Sequence, residues 1–210
     1  MMPKIYHILH LDRLRSLIRS QSLLSDALVR EKHLEGTTIG MDTIKDRRLH
    51  KCQLRSHPGL FVGQCVPFYF CPRPVMLYMI HKRNAELTYQ DGQEKIIHLV
   101  GDLQKTIAYA NSQKLRWAFT TSNAASSWFS DYADLNYLDE VHWDIINSDN
   151  WAGNQEWKQA EFLIENCMPW ALIDEIAVFD EQIYHQVNNI LETENITHPP
   201  KVTIKREWYY

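Results

Sequence analysis

The sequence predicts a mixed α+β fold, on three observations. Short segments with period-two or aromatic-rich pattern alternate irregularly with segments of helical period, which is the order of an α+β domain and not of a doubly wound one. No internal repeat or linker-like stretch divides the chain. The 210 residues are 45% hydrophobic and 23% charged, enough apolar material for a core and far from the composition of disordered chains. One domain over residues 1–210 is expected.

The elements follow in order. Residues 4–9, Lys-Ile-Tyr-His-Ile-Leu, read as a strand, and Leu11, Leu14, Leu17 and Ile18 sit at helical spacing over residues 12–21, with Asp12 at the positive end of the helix dipole. Residues 25–63 lose the pattern and become polar and basic, either a long functional loop or an irregular helix. Residues 66–71 form an aromatic strand, punctuated by Pro72 and Pro74 before a helix over 75–80. A strand at 95–100 ended by Gly101, a helix at 102–111 and a strand at 116–121 come next. Residues 122–157 are rich in Asn, Asp, Ser and Trp, with a short helix near 138–146. Residues 159–166 alternate as a strand stopped by Pro169, with Gln159, Glu161, Leu163 and Glu165 on one face. A strand at 175–179, a helix at 181–191 and a strand at 201–205 precede Trp208-Tyr209-Tyr210.

The net charge of -4 argues against coating duplex DNA through many phosphate contacts, though it leaves room for a short single-strand groove. Against that acidic total stands the run Lys45-Asp46-Arg47-Arg48-Leu49-His50-Lys51, continued by Arg55, which is otherwise a solvated face. Cys52, Cys65, Cys71 and Cys167 lie at irregular spacings without a signal-like start, so reduced thiols and a cytosolic location are expected. No apolar run approaches the ~20 residues of a membrane helix. His7 and His10 would fall on opposite faces of a strand, so no metal is expected. The glycines form neither a dinucleotide turn nor a P-loop, and hydrolase, kinase and metalloprotease motifs are absent from the sequence. Gln159 and Glu161 could present an amide and a carboxylate to one ligand; an exposed strand face takes the same residues.

Several segments in one order, spanning essentially the whole chain, carry a resemblance. They are Ile5-Tyr6-His7-Ile8, Ile44-Lys45-Asp46-Arg47-Arg48, Val66-Pro67-Phe68-Tyr69-Phe70-Cys71-Pro72-Arg73 with Met76-Leu77-Tyr78, Lys158-Gln159-Ala160-Glu161-Phe162-Leu163, Pro169-Trp170-Ala171-Leu172-Ile173, and Trp208-Tyr209-Tyr210. The chain resembles the DarT family of bacterial toxins, DNA ADP-ribosyltransferases paired with a macrodomain antitoxin, DarG. The resemblance implies an ADP-ribosyltransferase fold holding NAD between split mixed β-sheets, with NAD as co-substrate and no metal. The family's catalytic glutamate falls on Glu161 and its arginine on Arg48, which is also expected at NAD; His7 is expected near the ribose. Leu24, Ser25, Tyr69, Arg73, Met76 and Tyr78 are expected at the NAD pocket. Gln21-Ser22 replaces a glycine that some relatives carry after the first helix.

As the bond between ribose and nicotinamide loosens to an oxocarbenium-like state, a carboxylate at Glu161 would stabilise the developing charge. Arg48 would polarise the carbonyls of a thymine while Glu161 or a neighbour takes the ring-nitrogen proton. A base must be unstacked for this, so single-stranded DNA is the expected partner, with a DarG-like antitoxin and a monomeric state. Arg47, Lys51 and Arg55 are candidates for phosphates. Asn123, Trp151 and Gln159 are further candidates for DNA, with Trp128 and Trp143 as stacking alternatives to core packing. Guanine, RNA or protein acceptors, or a non-catalytic nucleic-acid-binding module, are the rival readings.

Overall fold

The computed structural model describes residues 3–210. Its strands are β1 (Lys4–His10), β2 (Ser22–Leu24), β3 (Cys65–Tyr69), β4 (Ile96–Asp102), β5 (Trp117–Thr120), β6 (Asp131–Tyr132), β7 (Glu161–Glu165), β8 (Cys167–Pro169), β9 (Ile173–Val178) and β10 (Lys201–Ile204). The α-helices are α1 (Leu14–Ser20), α2 (Asp26–Glu31), α3 (Asp42–His50), α4 (Val75–His81), α5 (Leu103–Ser112), α6 (Trp143–Ile146), α7 (Gln155–Lys158) and α8 (Glu181–Thr193). Eight strands form one sheet in the order β10-β9-β4-β1-β3-β7-β5-β6, and β2 pairs with β8 in a small second sheet. Every pairing is antiparallel except β9 with β10, so the large sheet is mixed.

The large sheet is nearly two. β1 pairs with β4 along its whole length, and β3 with β7 along theirs, but a single register pair, Tyr6 with Tyr69, joins β1 to β3. Pro67 in the middle of β3 has no N–H to give to a ladder, which suits a strand whose neighbour diverges. His7 crosses the gap, its Nδ1 2.7 Å from the Pro67 carbonyl.

The main core lies under one face of this sheet. Phe162 and Ile164 of β7, Phe68 of β3, and Ile97 and Leu99 of β4 pack with Leu14, Leu17 and Ile18 of α1, Leu103 and Ile107 of α5, and Ile183, Val187 and Leu191 of α8. Each such side chain contributes ~1.5–3 kcal/mol of burial. Alternation puts Leu163 on the other face, against Cys52, Leu54, Leu60 and Val62. Glu161 takes the same side, opposite Tyr69 in the ladder.

Residues 25–63, left open between a loop and an irregular helix, are ordered into α2, α3 and a bridge between Gln53 and Phe61. Three expectations are corrected. Gly101 does not end its strand, because β4 absorbs it as an irregularity against β9 and runs on to Asp102, whose carboxylate then caps α5. The strand of Glu161 begins at Glu161, since residues 155–158 coil into α7 and leave Gln159 as its cap. It is broken at Asn166, in left-handed conformation (φ 64°), and the chain resumes as β8 through Pro169. Asn tolerates that conformation because its short polar side chain can bond locally. Here its own N–H donates to Gln64 O and its carbonyl accepts from Ser25 N, both at 2.8 Å.

Candidate active site

A cleft of about 450 Å³ opens where β1 and β3 part. That volume suits a cofactor-sized ligand. Its floor is Glu161, 3% exposed, whose Oε1 and Oε2 accept from Arg48 Nη1 and Nη2 at 2.9 and 2.8 Å. The planar fork of arginine matches both carboxylate oxygens at once. Burial opposes the Arg48 charge, but the negative field of Glu161 and its hydrogen bonds outweigh that and raise the pKa above the ordinary arginine value. The Tyr69 hydroxyl is pushed up by burial and by the Glu161 charge, so it stays protonated.

Arg48 is delivered by α3, which sits close to the sheet because of Gly63. A Cβ there would lie 2.8 Å from the Leu49 Cα. The backbone at Leu49 has no flexible end to move aside, so glycine permits the approach.

His7 shares a strand face with the core residues Ile5 and Leu9. A carbonyl only accepts, so Nδ1 carries the proton toward Pro67 O and Nε2 holds a lone pair. Burial lowers the His7 pKa to about 4, against the raising effect of that bond, and the ring is neutral at pH 7.

One cleft wall, residues 34–41, was not anticipated. Arg13 pins it with Nε to Thr37 O and Nη2 to Gly36 O, both 2.8 Å, and Asp12 accepts from Thr37 Oγ1 at 2.6 Å. Gly36 (φ 133°) leaves room for the Arg13 stem, 2.6 Å from where a Cβ would be. Asp26 and Lys45, paired at 2.7 Å, also line the cleft. Lys45 lay within the cationic run, but nothing local marked Arg13 or Asp26.

Of the residues predicted at the cofactor, His7, Leu24, Arg48, Tyr69 and Met76 line this cleft with Glu161. Ser25, Arg73 and Tyr78 do not. Ser25 is buried as the cap of α2, its Oγ accepting from Leu28 N. Arg73 pairs with Asp149 at 2.8 Å and lies over the Tyr210 ring, while Tyr78 packs edge-on to Trp151 and Tyr210. Gln21, directly after the first helix, adopts the left-handed conformation (φ 55°) and closes α1 with its side chain on Ile18 O.

The residues predicted for DNA divide. Asn123 and Gln159 line the main cleft, 3.4 Å apart through Nδ2 and Oε1. Gln159 reaches it from the end of α7, not from a strand face. Arg47, Lys51 and Arg55 line a second cavity of about 550 Å³. Trp151 is in neither, held by Tyr78; Trp143 packs on Phe70 at the core; Trp128 is 78% exposed.

Among the described residues, no group of three or more His, Cys, Asp or Glu is placed to hold a metal ion, and no helix is long and apolar enough to cross a membrane.

Comparison with known proteins adds identity to this geometry. The curated DNA ADP-ribosyl transferase of Thermus sp. (strain 2.9) is 36% identical over 209 residues, covering 98% of this chain and 95% of the relative. The solved structure of Thermus sp. 2.9 DarT in complex with ADP-ribosylated ssDNA superposes with a TM-score of 0.88 at 34% identity, covering 99% of this chain and 96% of that one. The same Thermus protein in complex with NAD+ gives 0.85 at 33%, covering 99% and 98%. A family model described as "ssDNA thymidine ADP-ribosyltransferase, DarT" matches residues 6–210, and the chain belongs to that DarT family.

Proposed function

We propose that this chain transfers the ADP-ribosyl group of NAD to a thymine base of single-stranded DNA, with Glu161 and Arg48 acting on the reacting atoms. The observation that carries the reading is the buried, doubly hydrogen-bonded Arg48–Glu161 pair at the floor of a cofactor-sized cleft. NAD supplies the sugar, whose bond to nicotinamide breaks as positive charge builds on the ribose. Glu161 faces that charge as a fixed anion, stabilising a state that exists mainly at the transition state. Neutral His7 offers Nε2 as an acceptor for a ribose hydroxyl. As the base nitrogen bonds to the sugar carbon, its proton passes to Glu161, and Arg48 donates to the base carbonyls on which negative charge collects. Leu24, Tyr69 and Met76 shape the cofactor side of the cleft; Asn123 and Gln159 face the acceptor side.

Family membership supports the DNA acceptor, the thymine and a DarG-like macrodomain partner. We propose that residues 1–210 act as one ADP-ribosyltransferase domain, monomeric and in the cytosol. Incubation with labelled NAD and single-stranded DNA, duplex DNA, RNA or protein tests the acceptor. Label should enter single-stranded DNA on thymine and vanish in Glu161→Ala; label on protein or RNA alone would overturn the assignment.

A further inference from the structure

The walls of the main cleft continue, residue by residue, into the second cavity. On α3, Arg48 lines the first and Arg47 the second; on the facing turn, Ala125 lines the first and Ser126 the second. Arg47 Nη2 donates to Ser127 Oγ at 2.8 Å, so the two walls touch beside the boundary.

The charges there differ from those of the cleft. Within the cationic run, Lys45 is paired with Asp26 and Arg48 with Glu161. Arg47, Lys51 and Arg55 have no carboxylate within ion-pair distance among the described residues, and no carboxylate lines their cavity. Beside it, Trp128 exposes 78% of its surface while the Arg55 guanidinium lies 5.6 Å from its ring centre. The core makes no use of that indole. A flat, exposed ring backed by a cation is a stacking face for an unpaired base.

Resting on the DNA reading above, we propose that the second cavity is a subsite for the nucleotide adjoining the modified one. Arg47 and Lys51 hold the single phosphodiester between the two nucleotides, the phosphate displacing Ser127 from Arg47, and Trp128 with Arg55 stacks the neighbouring base. Stacking is tolerant of base identity, whereas the charge contact falls on one linkage. The site thus selects a strand with an unpaired neighbour on one side of the target and accepts any base there.

A methylphosphonate walk tests this, replacing one phosphodiester at a time in a labelled oligonucleotide. One linkage, next to the modified nucleotide, should raise the KM for DNA about tenfold or more. Arg47→Ala should raise the KM on the unmodified strand, lose the sensitivity at that linkage alone, and reduce the salt slope of binding by ~0.7. Trp128→Ala should raise the KM about 5- to 150-fold, with most of the affinity kept in Trp128→Phe. Melting curves verify that each variant is folded. If oligonucleotides are modified but every linkage responds alike, or Arg47→Ala stays as sensitive at the same linkage, the subsite is wrong and the DNA reading survives. If no oligonucleotide is modified at all, both fall.

Discussion

Arg48 and Glu161 lie 113 positions apart in sequence and meet through two parallel hydrogen bonds of 2.9 and 2.8 Å. Lysine would keep the charge but, as a point donor on a flexible stem, could not fill both oxygens or present a planar fork to a base. Arg48→Lys should therefore lower transfer to DNA by ~100-fold or more, the range seen when one transition-state donor is removed. Single-turnover labelling of an oligonucleotide measures it. A lysine variant at wild-type speed would show that charge alone suffices.

Gly63 lets α3 approach the start of β3, and a methyl group there would press on the Leu49 backbone next to Arg48. Gly63→Ala should destabilise by ~1–3 kcal/mol, as overpacking does. It should also cut transfer by up to ~100-fold, because a displacement near 1 Å at a reacting group is enough. Tm and kcat should fall together; an unchanged kcat would separate helix placement from function.

His7 and His98 are both held by burial at a pKa of about 4, below an ordinary value near 6.5. Between those limits the unfolded chain binds protons that the native chain refuses, so stability is fully present above about pH 6.5 and declines as pH falls toward 4. Each ring contributes on the order of 3 kcal/mol across that window. Urea midpoints between pH 7.5 and 4.5 should show the decline, and His98→Gln should flatten part of it. A flat profile would place both rings in contact with water.

Lys158 is 3% exposed, and its ammonium donates to the carbonyls of Ile146 and Ser148 at 2.6 and 2.9 Å. It ties the segment after α6, which carries Asp149 and Trp151, to the residue before Gln159. Lys158→Met preserves the bulk but strands both carbonyls, a loss of ~1–3 kcal/mol for each buried group left without a partner. Hydrogen exchange should quicken across residues 146–151 and stay unchanged in β4. Exchange that rises evenly over the whole chain would point to a global effect instead.

Sequence pattern reached the sheet better than the site. Period-two alternation and aromatic runs located β1, β3, β7 and β9 within a residue or two, because those strands bury one face or both. It failed at Gln159, where one turn of helix replaced the expected strand, and at Gly101, which pairing with β9 carried into the ladder. Glu161 and Arg48 were placed by family resemblance, since nothing local separates Glu161 from Glu156 or Glu165. The wall held by Asp12 and Arg13 was out of reach, as its hydrogen bonds join residues about two dozen positions apart. Ser25, Arg73 and Tyr78 lie beside residues of the cleft in sequence but turn to a cap and to an aromatic cluster.

The left-handed joint at Asn166 makes β7 and β8 a single ribbon, with Glu161 at one end, Cys167 opposite Leu24 just past the joint, and Pro169 opposite Ser22 at the other end. Adding or deleting one residue between Glu165 and Cys167 would turn over the faces of whichever strand yielded, exposing Met168 or displacing the acidic side chain. Evolution can vary the letters along this ribbon far more readily than its count, and a gap in that interval should mark a homologue that has lost the activity.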